Sequence, residues 1–284
     1  MKIAIAFIVC DRPEYFKQII DSVKAQSLSM YDADVYLFQD NSLKKDKIQV
    51  SIDLFKDCFP NGKIHVFDKN VGVAVNYHFA STYLFLEKDY THIIFIEEDL
   101  ILSKYYFETL MLLLNKFGED ERVGMIGVSG ANRMDSIEKQ QQHANEITSM
   151  NNTWNFCLPK HAFLTIRPLL EEYLTNFIFD KDYRRRDHIK IRKWLLDNGF
   201  RGNITSQDYV KTCCLAKNNL IKITCYPGLV KHIGVVGLHN NVEAYKKYGF
   251  GEQELYDKPI TDIEDLTNDK YIEMMKFSNE TYLR

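Results

Sequence analysis

Residues 3–10 are an unbroken apolar run, and a stretch with helical spacing follows at once. The run is about half the ~20 residues that a membrane-crossing helix needs. It reads as a strand buried on both faces, the form taken in parallel sheets. Pro13 opens the following helix, and Phe16, Ile19, Ile20 and Val23 give it one apolar face. The alternation repeats. Residues 34–38 and 63–67 read as strands, Val75, Phe79, Tyr83 and Leu86 mark a helical stripe, and 93–96 and 123–128 are further strands. This βαβαβ order predicts an open, mostly parallel α/β sheet flanked by helices.

The second half is less regular. Residues 139–155 are polar and predict a long surface loop, and 159–173 predict a helix. Ser206 can cap a helix over 206–215, 221–225 form a late strand, and the charged tail from 251 predicts helix. No linker divides the 284 residues, so one large domain is expected. Within it, 1–130, 131–250 and 251–284 differ in pattern.

Charge and cysteine content narrow the function. The net charge of −3 does not suit a wholesale nucleic-acid binder. The six cysteines show no C-x-x-C pair and predict reduced, mostly buried thiols. With no transmembrane segment and no secretory leader expected, the reading is a cytoplasmic protein, or one peripheral to a membrane.

The most informative segment is Glu97-Glu98-Asp99, directly after the apolar run 93–96. Three adjacent carboxylates at a strand end repel one another unless something offsets them. A divalent cation, Mg²⁺ or Mn²⁺, would do so, and ligands of open α/β sheets bind at the carboxyl ends of strands. The other reading is that the acids cap a helix starting near Ser103 or are solvated. Asp40, also at a strand end, can accept hydrogen bonds from a nucleoside or form an Asx-turn with its neighbours. Asn70, Gly72, Ala74 and Asn76 suit either a close ligand approach or an ordinary helix start capped by Asn70.

In this order the pieces resemble nucleotide-sugar-dependent glycosyltransferases of the GT-A (Rossmann-like) fold, of the family 2 and N-acetylglucosaminyltransferase I types. Residues 7–15 are similar to that family's first strand and turn, 39–42 to its nucleoside-binding acid, and Glu97-Glu98-Asp99 stands where it has a D-x-D-type motif. The resemblance implies Asp99 as first metal ligand, with Glu97 or Glu98 beside it. It implies Asp11 and Arg12 lining the same pocket, Arg12 near a phosphate or paired with Asp40. Asp208 stands where the family carries its general base, although Gln207 departs from the usual acid there. His232 or His239 would meet the metal or diphosphate, His232 preferred, and a purely structural histidine is the competing reading.

The activity so implied is transfer of a sugar from a nucleotide-diphosphate donor to a hydroxyl of a glycan or glycolipid, metal-dependent and inverting. Trp154 would face the donor sugar or simply fill the core. The basic run from Arg184 to Lys193 would hold an anionic acceptor or form a solvated helix face. A sugar-phosphate nucleotidyltransferase is disfavoured, because a Gly-rich loop would replace Cys10-Asp11-Arg12-Pro13. A catalytically degenerate nucleotide-sugar-binding or scaffolding module is the remaining alternative, kept open by Gln207.

Overall fold

Alternate residues of the first strand serve opposite faces of one sheet. Ile5, Phe7 and Val9 enter one apolar core, and Ala4, Ala6 and Ile8 enter another. Strand β1 (Ile3–Val9) is therefore apolar throughout because both its faces are covered. The computed structural model describes residues 1–27, 33–179, 185–202, 204–235, 242–247 and 249–284. After β1 come α1 (Pro13–Lys24), β2 (Asp34–Gln39), α2 (Lys45–Cys58), β3 (Lys63–Val66) and α3 (Gly72–Thr82). Next are β4 (His92–Glu97), a short β5 (Leu100–Leu102), α4 (Tyr106–Phe117) and β6 (Val123–Gly127).

The second half adds α5 (Ile137–Gln142), β7 (Ile147–Ser149), β8 (Asn155–Pro159), α6 (Lys160–Phe177) and α7 (His188–Asp197). It ends with α8 (Gln207–Lys217), β9 (Ile221–Cys225), β10 (Val230–His232), α9 (Val242–Lys247) and α10 (Asn268–Tyr282). Eight strands form one sheet in the order β3-β2-β1-β4-β8-β6-β9-β7, and β5 pairs with β10 separately. The sheet is mostly parallel, as expected. Its antiparallel members are β8, between β4 and β6, and the edge strand β7.

Two expectations need correction. Residues 139–155 are not one surface loop. Ser136 caps α5 by accepting the Lys139 N–H, and β7 extends the sheet. The polar composition concealed this because Gln140 finds its partners inside the fold. Gln140 is buried, donates to the Asp135 carbonyl and accepts the Gly228 N–H. The tail is helical only from Asn268. Over 251–267 Pro259 lacks an N–H and disfavours helix at Lys258, while Tyr256, Ile260, Ile263 and Leu266 pack into the core. The strand predicted at 123–128 forms as β6, and β8 runs between it and β4.

All six cysteines are free thiols, and all but Cys10 are buried. Among the described residues no helix is long and apolar enough to cross a membrane. Arg184 lies outside the described residues. Lys190 and Lys193, mostly exposed on α7, pair with Asp187 and Asp197 on the same helix, as a solvated face does.

Candidate functional site

The β1–β4 register sets Ile8 opposite Glu97, so the turn after β1 lies against the acidic segment. The Cys10 N–H donates to Glu98 Oε2 at 2.7 Å, and Arg12 Nε donates to Glu98 Oε1 at 2.6 Å. Arg12 Nη1 stands 2.9 Å from Asp99 Oδ2. Arg12 thus faces Glu98 and Asp99 and does not pair with Asp40, a correction to one expectation. Burial works against the Arg12 charge, yet Glu98 and Asp99 hold its pKa above the ordinary value. Burial raises the Glu98 carboxyl, and Arg12 and the Cys10 N–H offset part of that rise. The acids do not cap a helix, because β5 intervenes before α4.

Pairing of β5 with β10 brings in a histidine. Leu100 sits opposite His232, and the Ile233 N–H donates to the Asp99 carbonyl at 2.8 Å. His232 Nε2 lies 3.5 Å from Asp99 Oδ2. Burial lowers the His232 pKa and keeps the ring neutral, the form that binds metals. Asp99 Oδ1 and His232 Nδ1 are buried with no hydrogen-bond partner among the described residues. Gly234 keeps the space between these side chains clear. A Cβ there would fall well inside contact distance of Asp99 Oδ2 and 2.9 Å from His232 Cε1. His239 lies outside the described residues.

Glu97 turns toward the other face. The Tyr77 hydroxyl of α3 donates to Glu97 Oε1 at 3.0 Å. Burial, then the charges of Asp99 and Asp208, raises the Glu97 carboxyl well above the ordinary range. So Asp208, far away in sequence, is brought within electrostatic reach of the acidic segment. It lies in the first turn of α8, whose N-cap Ser206 accepts the Tyr209 N–H, as the sequence predicts. The Gln207 amide donates to Asp208 Oδ1. Glutamine at this position therefore orients the acid without adding a second charge.

Asp40 organises the loop at 70–72. Its Oδ1 accepts the Asn41 and Val71 N–H groups, both at 2.8 Å, and its Oδ2 accepts Gly72 N–H at 2.9 Å and Asn70 Nδ2 at 3.3 Å. A carboxylate has about four lone-pair sites, so these donors fill it. Burial still pushes its pKa up. Asn70 does not cap α3. Val71 holds that position, and Asn70 instead also donates to the Asn41 carbonyl at 2.6 Å. Asn76 donates to the Phe38 carbonyl at 3.1 Å, and its Oδ1 is buried with no hydrogen-bond partner among the described residues. Asp11 is half-buried and stands 3.1 Å from Lys44 Nζ.

Trp154 is half-buried, its ring 4.8 Å from that of His232 and 5.3 Å from that of Phe250. Next to it, Asn155 is fully buried, opposite Ile96 in the sheet, and neither side-chain polar atom has a hydrogen-bond partner among the described residues. Sequence reasoning missed Asn155, Tyr77, Gly234 and Lys211. Lys211 is 4% exposed and its ammonium has no hydrogen-bond partner among the described residues. It lies 4.5 Å from the Tyr77 ring centre and feels Asp208 and Glu97. One signal was available, since Lys211 is one helical turn after Gln207 in an otherwise apolar stretch.

No protein-family model and no curated protein matches the chain. Similar chain paths occur among solved structures. The mannosyltransferase PcManGT from Pyrobaculum calidifontis, in complex with GDP-Man and Mn²⁺, is 11% identical with a TM-score of 0.47, over 78% of this chain and 54% of that one. S. aureus TarS 1-349 in complex with UDP-GlcNAc is 11% identical with a TM-score of 0.47, over 84% and 62%. GalNAc-T7 with UDP, GalNAc and Mn²⁺ is 11% identical with a TM-score of 0.48, over 81% and 43%. The chain thus spans between about two fifths and three fifths of the structures it matches. What is similar is the path of the chain.

Proposed function

We propose that the protein transfers a glycosyl group from a nucleotide-diphosphate sugar to an acceptor hydroxyl of a glycan or glycolipid. The observation that carries this reading is that Glu97 and Asp99 stand at the carboxyl end of β4, with His232 beside Asp99 and Asp208 within electrostatic reach of Glu97. Ligands of open α/β sheets bind at such strand ends.

Asp99 and His232 would hold a divalent cation. One orphaned carboxylate oxygen and one neutral imidazole suit Mn²⁺, and also Mg²⁺. Among the described residues no group of three or more His, Cys, Asp or Glu is gathered for a metal. The remaining positions would thus fall to diphosphate oxygens and water, as is usual for such cations. When bound, the cation supplies positive charge against the diphosphate leaving group. Arg12 adds fixed positive charge at the same place and holds Asp99 in position. Asp40 shapes the nucleoside end through the loop at 70–72. Asp11 lines the pocket between.

Asp208 acts as the general base. The acceptor oxygen attacks the anomeric carbon on the face opposite the diphosphate, and its proton passes to the Asp208 carboxylate. The bond from the anomeric carbon to the diphosphate oxygen breaks and its electron pair leaves with the diphosphate. A direct displacement of this kind inverts the anomeric centre. Lys211 and Lys222 lie within electrostatic reach of Asp208. The role of Gln207 in orienting Asp208 supports an active enzyme over a degenerate binding module.

The test is turnover of a nucleotide-sugar panel, read as release of nucleoside diphosphate with and without acceptor mixtures. Asp208→Asn is expected to lose ~10²-fold or more in turnover, with donor affinity changed less than about twofold. A wild-type rate in that variant would contradict the assignment.

A further inference from the structure

One face of α7 packs inward and the other carries apolar side chains into solvent. Ile191 and Leu195, four residues apart, are fully buried. Trp194 packs on the same side against Tyr173 and Phe200, and its indole N–H donates to Glu172 at 2.6 Å. The opposite stripe is Ile189, Arg192, Lys193 and Leu196, spaced i, i+3, i+4 and i+7, so the four share one side of the helix. All four are exposed, Ile189 to 80% and Leu196 to 40%. Scattered apolar residues on a surface are ordinary. Here a third, Ile204, is 53% exposed and adjoins the same place. His188 Nδ1 and Thr205 Oγ1 are 2.7 Å apart, so their sequence neighbours, Ile189 and Ile204, flank one contact.

That contact also places the patch. Thr205 precedes Ser206, the N-cap of α8, and Asp208 lies in the first turn of that helix. At the far end, Lys217 Nζ of α8 donates at 3.0 Å to the carbonyl of Asn198, the residue after α7. The two helices therefore run side by side with like ends together, and the start of α7 stands at the Asp208 end. Charge then selects the partner. Residues 185–206 hold six Lys and Arg against two Asp, in a chain whose net charge is −3. The two acids, Asp187 and Asp197, stand 3.3 and 2.8 Å from Lys190 and Lys193, exposed pairs of a kind that contributes little. Arg185 and Arg192 are exposed as well. Apolar side chains flanked by Lys and Arg on the outside of a helix are the pattern of a segment lying in a bilayer surface. The apolar groups enter the headgroup region and the cations meet anionic lipid. A nucleic acid would engage the cations through its phosphates and leave the three aliphatic side chains in water.

We infer that the outer face of α7, with Ile204 beside its start, docks on an anionic lipid bilayer. Ile189, Leu196 and Ile204 enter the headgroup region, and Arg185 and Arg192 meet the lipid charge. The docking itself needs no enzyme activity. Its consequence rests on the transferase reading: a bilayer held at the start of α7 presents a lipid-borne acceptor at the Asp208 end of the site, which selects a glycolipid over a free glycan.

The probes are phosphatidylcholine vesicles with and without phosphatidylglycerol, read by co-sedimentation of the full chain. Wild-type protein is expected to bind the anionic vesicles ~10-fold or more tightly than the neutral ones, and to lose most of that binding at high salt. Arg185→Gln with Arg192→Gln is expected to weaken anionic-vesicle binding ~10-fold or more. Ile189→Ser with Ile204→Ser is expected to weaken it by a similar factor. All four side chains are exposed, so both variants should keep a thermal midpoint close to wild type. Absence of vesicle binding by the wild type, or equal binding to neutral and anionic vesicles, would overturn the inference.

The isoleucine variant separates insertion from attraction of charge alone. Vesicle binding that it leaves unchanged would overturn the inference. So would retention of a single-stranded oligonucleotide by wild type and isoleucine variant alike without vesicle binding, which would assign the face to nucleic acid. Vesicle binding by a protein that binds no nucleotide would keep the docking face and remove the transferase reading, so the two fail separately.

Discussion

Arg12 Nη1 stands 2.9 Å from Asp99 Oδ2, and this contact divides the acidic segment into unlike parts. Glu98 and the paired oxygen of Asp99 have a fixed counter-charge. The other Asp99 oxygen is buried and has no hydrogen-bond partner among the described residues. Glu97, on the opposite side, accepts the Tyr77 hydroxyl, and burial with the charges of Asp99 and Asp208 raises its carboxyl well above the ordinary range. A run that looks uniform in sequence therefore has three different roles, each set by the element it meets.

Gly234 tests whether the space around Asp99 matters. Gly234→Ala would force the new methyl against Asp99 Oδ2 and His232. The expected result is a loss of Mn²⁺-dependent nucleotide affinity of ~10-fold or more, about 1.4 kcal/mol, with a thermal midpoint close to wild type. Calorimetry beside a melting curve separates the two. Unchanged affinity would show that Asp99 and His232 do not act together.

Asp40→Asn leaves an amide among four donors. At least one backbone N–H of Asn41, Val71 or Gly72 then faces an NH₂ group. The expected cost is about 1–3 kcal/mol of stability, measured by denaturant unfolding, together with weaker nucleotide binding as the 70–72 loop loosens. A variant as stable as wild type would remove Asp40 from its organising role.

Lys222 gives a pH dependence. Burial pulls its ammonium down from 10.5 to about 8, and Asp208 offsets part of that. Between about 8 and 10.5 the unfolded chain holds this proton and the folded one does not, so stability from this group rises with pH. Below that window the cost is complete. Lys222→Met should therefore stabilise the fold at pH 7 by roughly 2–3 kcal/mol, a rise of roughly 4–8 °C in thermal midpoint. The advantage should shrink between pH 8 and pH 10. A constant difference across that range would place the titration elsewhere.

Much of the fold was legible where burial leaves a plain signature. β1 and β4 carry apolar residues on both faces, and α8 announces its start through Ser206. β8 was not, because its five residues begin with Asn155, a buried polar side chain that breaks the apolar pattern. α5 was hidden by glutamines whose partners, such as Gly228 and Glu254, are distant in sequence. The choice of Arg12 partner depends on strand order. β1 lies between β2 and β4, so Asp40 and Glu98 both end beside the Arg12 turn, and only the side-chain geometry separates them. Tyr77 and Lys211 occupy helical positions that look like ordinary core or surface until α3 and α8 meet at the end of β4.

The central claim is a nucleoside diphosphate site that needs a divalent cation at Asp99. The most direct measurement is calorimetric titration with UDP, GDP, dTDP and CMP, with and without Mn²⁺, for wild type and Asp99→Ala. The account predicts that one nucleotide binds tightly only with Mn²⁺ and that Asp99→Ala removes this dependence. Equal binding with and without Mn²⁺, or a variant indistinguishable from wild type, would contradict it.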